Sequence, residues 1–418
     1  MTFNPFSSSR RDALITAGLL FAAAALAALL ALRAPLGVDY TGAPSTFCDC
    51  PGTPIRALAH GRLHDFLATQ PVMGSASLLL RAPFAWLGLH LGAGSERDLY
   101  RLGAFPCLLA AGLLATYLFG RMRELRRATL ACVLVPFLVA VNPLTRNALN
   151  FGHPEELLTA SLCVGALLAA ARGRALAAGL LLGVAVATKQ WAVLAVLPAL
   201  AAAGPRWGRV ALAAAVTAAV LIVPMAAGDL HRFLQANHSA GAGAGAAMPT
   251  NVWFPFGWNV PVLILPNGAT TPPHALPAAI GTLAHPLVLL SGFALALAWW
   301  RFRREAHAED ALLLLALVML VRCLLDPLTN GYYHLPFLMA LAAWEGLRRR
   351  GAPLLTVGAT LLIALTSALA NGGATLNQVN GFYLAWALPF AALLAGLAFR
   401  PGVESDHVPR EEVLRWAD

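Results

Sequence analysis

The sequence predicts an all-α polytopic membrane protein, and two observations support this prediction. Hydrophobic residues make up 59% of the 418 residues and charged residues only 12%, whereas soluble domains carry about 25% charge. Apolar runs long enough to cross a bilayer recur along the chain, and short arginine clusters separate them. This composition excludes an ordinary soluble globular protein.

The arginine clusters predict the orientation of the chain. A net charge of +9 would suit a nucleic-acid-binding protein if it formed one basic face, but here short loops divide the charge. Because Lys and Arg in short loops mark the cytoplasmic side of a membrane, we expect the clusters and both termini in the cytoplasm. The clusters are Arg10-Arg11, Arg121/Arg123/Arg126/Arg127, Arg172/Arg174, Arg206/Arg209, Arg301/Arg303/Arg304 and Arg348 to Arg350.

The first apolar segment, residues 13–32, is long enough to span, because a transmembrane helix needs roughly 20 apolar residues. It exceeds the roughly 7–15 residues of a signal-peptide core, so we predict an uncleaved anchor. Further spans are predicted near residues 99–119, 128–142, 156–171, 209–226, 284–300, 309–325, 333–347, 352–370 and 382–399. We interpret residues 1–400 as a single membrane domain and residues 401–418 as a cytoplasmic tail.

Residues 175–203 predict a hairpin of two short helices. They lie between Arg174 and Arg206, and a single crossing would place every later arginine cluster outside the cell. Each arm would be about 21 Å long, which is shorter than the roughly 30 Å hydrocarbon core. The turn, with Lys189 at its tip, is therefore expected where the bilayer is thin or inside a protein-lined cavity. With this hairpin the chain makes about twelve crossings.

The topology leaves two large outer loops, residues 36–98 and 227–283. In the first, residues 54–69 and 77–92 are apolar with interspersed Arg and His, as expected of helices that lie along the interface above a site. The second contains the aromatic segment 253–258. That segment fits an interfacial belt or a surface that stacks on sugars or guides a lipid.

The cysteines and short motifs give little indication of soluble-enzyme chemistry. Cys48 and Cys50 flank Asp49 and are expected to be spectators, with a functional pair as the alternative. Two thiolates alone make a poor metal site, so we predict no metal ligands and no cofactor. No nucleotide-binding, zinc-protease or serine-hydrolase signature is present in the sequence.

Ionisable and polar side chains recur where the predicted spans reach the outer boundary, which predicts a reaction chamber there. Asp49 follows the anchor, and ionisable groups inside membrane segments are functional by default. The other candidates are His153, Glu155, Glu156, Lys189, Gln190, Arg322 and His334.

The order of several motifs resembles the GT-C glycosyltransferases, and most closely the polyprenyl-phosphate-mannose-dependent enzymes of glycosyltransferase family 87. These motifs are Phe47-Cys48-Asp49-Cys50-Pro51 with Ala57-Leu58-Ala59-His60-Gly61, then Gln70-Pro71 and Ala82-Pro83, the Gly-rich segment 178–183 leading to Lys189, Asp326-Pro327, and Asn330-Gly331-Tyr332-Tyr333-His334. The resemblance implies a GT-C-like fold. It also implies that a hexose is transferred, with inversion, from a polyprenyl phosphate to a lipid-linked or cell-envelope glycan on the extracytoplasmic face. The resemblance implies mannose as the hexose. Metal sites vary among GT-C enzymes, so the resemblance leaves a metal requirement open.

The resemblance assigns the general base to Asp49, with Asp39 as the competing candidate. A donor that already carries a phosphate leaving group needs help mainly in removing the acceptor's proton. Lys189 is expected to stabilise the leaving phosphate, although a snorkelling lysine is the structural alternative. Arg322 and His334 are secondary donor contacts, and Arg322 has a plain ion pair with Asp326 as its alternative.

Glu155 and Glu156 have two interpretations, and so does the whole protein. The two acids begin a predicted helix, where carboxylates ordinarily compensate the helix dipole; otherwise they and His153 bind sugar hydroxyls or assist the base. The rival functions are a transporter or flippase of a lipid-linked sugar and an inactive membrane scaffold. Transporters commonly show internal repeats and midplane sites, and the asymmetric loops here disfavour that function.

Overall fold

The computed structural model describes residues 10–41, 50–69, 74–242, 245–264, 271–303 and 307–400, and these residues are mostly helical. The helices in the described residues are α1 (Arg10–Arg33), α2 (Gly52–Ala59), α3 (Leu63–Thr69), α4 (Ser75–His90), α5 (Glu96–Glu124), α6 (Thr129–Ala140), α7 (Pro143–Phe151), α8 (Glu155–Ala171), α9 (Ala175–Thr188), α10 (Val196–Ala203), α11 (Trp207–Gly228), α12 (Leu230–Ala242), α13 (Ala278–Phe302), α14 (Ala311–Leu325), α15 (Leu335–Arg348), α16 (Leu354–Asn371) and α17 (Leu376–Phe399).

Six stretches of the described residues are long and apolar enough to cross a membrane, so the predicted class of membrane protein is confirmed. They are Glu96–Glu124, Thr129–Phe151, Gln190–Gly228, Ala278–Phe302, Leu354–Asn371 and Leu376–Phe399. The predicted count of about twelve crossings is not confirmed by this criterion, because several helices are shorter. Among them α8 has 17 residues, α14 has 15 and α15 has 14.

The three short helices α8, α14 and α15 form the centre of the molecule. Helix α15 packs against α8 and α14, and the helices that pack around these three include α5, α6, α9, α13, α16 and α17. Residues 335–347 of α15 are all buried, as is nearly all of α14. Helices that are apolar on every side are expected in such a buried position. The centre of the fold therefore contacts other helices and not lipid.

The predicted hairpin at residues 175–203 is confirmed. Lys189 is extended (φ −142°, ψ 133°) between α9 and the 3-10 helix Gln190–Ala195. Its ammonium lies beside Glu155, the first residue of α8, whereas Arg206 lies against Gly173, just beyond the end of α8. Because the two ends of this segment lie at opposite ends of α8, the chain runs out and returns, with Lys189 at the turn.

The second large loop contains a small antiparallel sheet with the order β1 (Ala246–Ala247), β3 (His274–Ala275) and β2 (Trp258–Asn259). Phe254 is buried and stacks on the His274 ring, with 3.8 Å between centroids. Trp258 is exposed. The aromatic segment therefore supplies part of a small core and part of the surface.

Four cysteines, Cys107, Cys132, Cys163 and Cys323, are free and buried, which fits their predicted role as small hydrophobic residues. Cys50 is disulfide-bonded and not a free thiol; whether it is a spectator or part of a functional pair stays a prediction. Cys48, Asp49 and the tail 401–418 lie outside the described residues.

Candidate functional site

Backbone pairing holds Asp39 beside the turn that precedes α8. The Val38 N–H donates to the Asn150 carbonyl at 3.0 Å, and the Asp39 N–H donates to the Phe151 carbonyl at 2.9 Å. Gly37 permits this close approach, because a Cβ there would lie 2.2 Å from the Gly152 Cα. The first loop is thereby joined to the end of α7, about 110 residues further along the chain.

His153 connects Asp39 to α8. Its Nε2 donates to Asp39 Oδ2 at 3.2 Å, and its Nδ1 donates to Glu155 Oε1 at 2.9 Å. The imidazole is buried and stacks on Tyr332, with 5.1 Å between ring centroids and an interplanar angle of 26°. Two carboxylates and a ring face thus fix its orientation.

The charge state of His153 follows from these contacts. Burial lowers the pKa of the imidazole, but the hydrogen bonds to Asp39 and Glu155 raise it more, to about 10. His153 is therefore an imidazolium at neutral pH, and both ring nitrogens are donors.

Glu155 binds three basic side chains. Its Oε2 accepts from Arg81 Nη1 at 3.2 Å, its Oε1 lies 3.2 Å from Lys189 Nζ, and Oε1 also accepts from His153. The side chains of Glu155 and Arg81 are both fully buried. Burial of charge is costly unless it is paired, so Glu155 holds the neighbouring cations in place. It is more than a helix-capping acid.

Glu156 lies beside Glu155 and reaches a different set of partners. Its Oε2 accepts from Trp191 Nε1 at 3.0 Å, and its Oε1 lies 3.8 Å from Lys189 Nζ. Lys189 is therefore shared by two carboxylates. Trp191 follows directly from the hairpin turn, so the same turn supplies both contacts.

Arg322 extends the cluster on the side of α14. Its guanidinium lies over the Trp191 ring at 5.1 Å and over the Tyr333 ring at 4.7 Å. The residue is 5% exposed, and its Nη1 is buried with no hydrogen-bond partner among the described residues. A buried guanidinium N–H without an acceptor is costly. Arg322 is therefore a candidate to bind an anion.

Together these side chains form a buried group, which we call the charged cluster. Among the described residues, and with His153 protonated, its positive side chains exceed its carboxylates by one. The charged cluster comprises Asp39, Arg81, His153, Glu155, Glu156, Lys189 and Arg322. Such an arrangement favours a bound anion over a bound cation.

The sequence profile of glycosyltransferase family 87 matches residues 75–327, which is more than half of the chain. This chain belongs to glycosyltransferase family 87. The matched region contains every member of the charged cluster except Asp39. The resemblance that the motifs indicated is thereby confirmed.

Two solved structures are similar to this family 87 enzyme at low identity. The archaeal oligosaccharyltransferase AglB from Archaeoglobus fulgidus, in complex with an inhibitory peptide and a dolichol-phosphate, shares 15% identity, with 98% of this chain and 58% of AglB covered and a TM-score of 0.45. ArnT from Cupriavidus metallidurans, in the apo state, shares 15% identity and has a TM-score of 0.44. The match covers 93% of this chain and 78% of ArnT. The chain thus spans less than two thirds of AglB. A comparison with curated protein sequences gives no match.

The structure of the family 87 enzyme brings together five of the predicted site residues and leaves others apart. His153, Glu155, Glu156, Lys189 and Arg322 meet in the charged cluster. The alternative ion pair of Arg322 with its neighbour four residues on is absent from the described residues, where Asp326 Oδ1 instead accepts from the Leu328 N–H at 3.0 Å.

His334 and Gln190 do not contact the charged cluster. His334 Nδ1 donates to the Gly331 carbonyl at 3.1 Å, and its Nε2 accepts from the Tyr383 hydroxyl at 3.0 Å. Gln190 is exposed and donates to the Asn237 side chain. The predicted convergence of Lys189 with His334 around one cavity therefore stays a prediction. The predicted base Asp49 lies outside the described residues, so its role stays a prediction.

Sequence reasoning missed Arg81 and Trp191 and placed Asp39 second. Arg81 was interpreted as part of an interfacial helix, but it is completely buried. Arg81 lies between the apolar residues Leu78-Leu79-Leu80 and Ala82. This position could have indicated a functional residue, because a charged side chain within an apolar run is functional by default. Within the described part of the chain, no group of three or more His, Cys, Asp or Glu side chains is arranged to hold a metal ion.

Proposed function

We propose that this family 87 enzyme transfers a hexose from a polyprenyl phosphate to a hydroxyl of a lipid-linked or cell-envelope glycan. The transfer takes place at the end of the helix bundle where α8 begins, on the extracytoplasmic face if the arginine clusters mark the cytoplasm. Mannose as the sugar follows from the resemblance alone. The observation that carries the proposal is the buried charged cluster with the Asp39 carboxylate at its partly exposed side.

We assign the general base to Asp39. Its side chain is 14% exposed, which is more than that of His153 or Glu155. The His153 imidazolium donates a hydrogen bond to the carboxylate and so fixes its orientation. Asp49 lies ten residues further along the same loop and is the alternative base, so the two carboxylates must be tested side by side.

The reaction is a single displacement with inversion at the anomeric carbon. The acceptor hydroxyl oxygen attacks that carbon as its proton passes to the Asp39 carboxylate. The bond between the anomeric carbon and the phosphate oxygen breaks, and the electron pair leaves with the polyprenyl phosphate. One carboxylate suffices for this step, unlike the paired carboxylates of most glycosidases.

The leaving phosphate needs a fixed positive charge, and Arg322 is the best-placed group to supply it. A preorganised cation in a site that excludes water stabilises developing negative charge better than water does. Within the described structure Arg322 Nη1 has no hydrogen-bond partner, whereas Lys189 already contacts two carboxylates. We assign direct phosphate contact to Arg322 and a supporting charge to Lys189. Glu155 and Glu156 hold these cations and do not contact the sugar.

The test compares three aspartates of the same outer loop, each changed to Asn. Membranes with Asp39→Asn, Asp49→Asn or Asp65→Asn are supplied with radiolabelled polyprenyl-phosphate mannose, and formation of a new glycoside is measured. Asp65 is the matched control, because it is half exposed and pairs only with surface groups. Loss of a general base lowers the rate about 10²–10⁴-fold. We expect that loss for Asp39→Asn and wild-type activity for Asp65→Asn.

The same assay separates the proposal from its competitors. Activity that is lost in Asp49→Asn and retained in Asp39→Asn would move the base to Asp49. Movement of the labelled lipid across liposomes without any new glycoside would replace the transferase with a carrier. Equal activity of all three variants would remove the first-loop carboxylates from the mechanism.

A further inference from the structure

A second concentration of charge lies at the opposite end of α8 from the charged cluster. Three separate helix ends meet there: the end of α5, the end of α8 and the end of α15, together with the turn that precedes α14. They enclose a cavity of about 210 Å³. Helix α8 is 17 residues long, so about 25 Å separates this cavity from the charged cluster. We call it the arginine pocket, and its charged lining residues are Arg121, Arg127, Arg172, Arg348, His307 and Glu309.

The positive charges of the arginine pocket are only partly compensated. Arg121 pairs with Glu124, and Arg348 Nε lies 2.9 Å from Asp310 Oδ1. Arg172 forms no ion pair with any other described residue, and its guanidinium lies 5.1 Å from the centroid of the Tyr117 ring. Among the described residues, Arg172 thus adds positive charge to the pocket outside any ion pair.

Arg127 is the second uncompensated cation, and it is more enclosed. It donates to the Leu347 carbonyl, and its Nε is buried without a hydrogen-bond partner in the described structure. Burial and the nearby charges of Arg348 and Arg350 lower the pKa of Arg127. A guanidinium that like charges surround and that retains a free N–H is stabilised by an anion.

We propose that the arginine pocket binds the phosphate group of an anionic ligand, either a phospholipid head group or a small soluble phosphate. Arginine suits this role because its planar N–H groups match phosphate oxygens. The volume is below the roughly 300–1,000 Å³ of sites for drug-sized ligands, so the pocket fits a phosphate with a short head group and not a nucleotide.

Topology alone does not explain this arrangement. Arginines that only orient a membrane protein need to lie in the right loops, and Arg123 does this at the surface, with its guanidinium 5.8 Å from the Phe119 ring centroid. Arg121 with Arg127, Arg172, and Arg348 instead come from three separate segments of the sequence and line one concavity. Basic pockets of this kind between helices bind anionic head groups.

The test measures binding of fluorescent phosphatidylglycerol and fluorescent phosphatidylcholine to the purified full-length protein in detergent. Arg172→Gln removes a pocket charge, and Arg123→Gln is the matched control, because each arginine lies over one aromatic ring and only Arg172 lines the pocket. One basic residue contributes about 1 kcal/mol to binding an anionic lipid, or about fivefold in affinity. We expect the wild type to bind phosphatidylglycerol more tightly than phosphatidylcholine. Arg172→Gln should bind phosphatidylglycerol about fivefold more weakly than the wild type does. Arg123→Gln should bind it with wild-type affinity.

Two further arms identify the source of the phosphate and protect the test against misfolding. Displacement of the labelled lipid by millimolar inorganic phosphate would support the pocket with a soluble phosphate as its ligand; displacement only by unlabelled phosphatidylglycerol would support a head group. Arg127→Gln should also bind phosphatidylglycerol more weakly than Arg123→Gln does. Arg172→Lys, which keeps the charge, should retain most of the wild-type binding. Equal binding of the two lipids, or equal effects of Arg172→Gln and Arg123→Gln, would overturn the proposal.

Discussion

Replacement of Glu155 by Gln should destabilise the protein strongly, because Glu155 is the acid on which most of the charged cluster depends. The substitution preserves the shape of the side chain and removes its charge. It removes the ion pair between Glu155 and the completely buried Arg81, and it also weakens the contacts to Lys189 and His153. Breaking a buried ion pair by removing one partner costs about 3–5 kcal/mol. We expect a loss of that size in the free energy of unfolding.

The control is another Glu–Arg pair that joins two helices near the same loop. Glu96 pairs with Arg56, but these side chains are 38% and 40% exposed, and exposed pairs contribute about 0–1 kcal/mol. Unfolding of Glu155→Gln, Glu96→Gln and the wild type is followed by helical circular dichroism during denaturation in the same detergent. Losses of equal size for the two variants would refute the reasoning from burial.

A second comparison separates the ion pair from simple packing. If Glu155 is needed because it neutralises Arg81, the double variant Arg81→Gln/Glu155→Gln should lose less stability than the sum of the two single variants. The difference from additivity reports the coupling of the two charges. Strict additivity would mean that Arg81 and Glu155 contribute independently of each other, in conflict with their 3.2 Å contact.

Three further predictions concern the phosphate contact, the imidazolium and the position of the first loop. Arg322→Gln should fold and transfer sugar about 10²–10³-fold more slowly than the wild type, which is the range for removal of one preorganised transition-state contact. Arg322→Lys should recover part of the rate. A wild-type rate in Arg322→Gln would exclude the phosphate contact. Because hydrogen bonds raise the folded pKa of His153 from 6.5 to about 10, its stabilising contribution is complete below about pH 6.5 and is lost as the pH rises through about 10. The melting temperature of the wild type should therefore fall relative to that of His153→Gln between pH 7 and pH 10, and parallel pH profiles would contradict this charge state. Gly37→Ala should reduce the transfer rate, because a Cβ there would lie 2.2 Å from the facing backbone. Gly18→Ala is the control and should keep the wild-type rate, because open space surrounds Gly18. Equal rates for the two variants would show that the close approach at Gly37 does not position the site.

The membrane class and the return of the hairpin could be predicted because each depends on local properties. Composition and the spacing of the arginine clusters predicted the class, and the need to keep Arg174 and Arg206 on one side predicted the reversal at Lys189. The number of crossings was less accessible. Helix α15 is apolar enough to be predicted as a span, but its 14 residues are buried among other helices. Hydropathy alone does not distinguish a helix surrounded by other helices from one surrounded by lipid.

The candidate site could be predicted only in part, because its assembly depends on contacts between distant segments. His153, Glu155 and Lys189 stood out as polar residues at the ends of apolar runs. The choice between Asp39 and Asp49 required the backbone pairing of residues 37–39 with 150–152, and no local motif in the sequence encodes that pairing. Arg81 was missed for the same reason, since its importance follows from a partner 74 residues away.

The geometry also separates two roles that the sequence assigned together. Lys189 and Arg322 were both expected to contact the donor phosphate, yet Lys189 is held by two carboxylates while Arg322 is held by two aromatic faces. A cation that aromatic rings hold keeps its hydrogen-bond donors for another acceptor, because the ring faces attract the charge without using its N–H groups. A cation that carboxylates hold has already used donors. Arg322 is therefore the group that has an N–H without an acceptor in the described part of the chain and can offer it to an incoming phosphate. Lys189 is the group that compensates the charge of the two buried glutamates beside it.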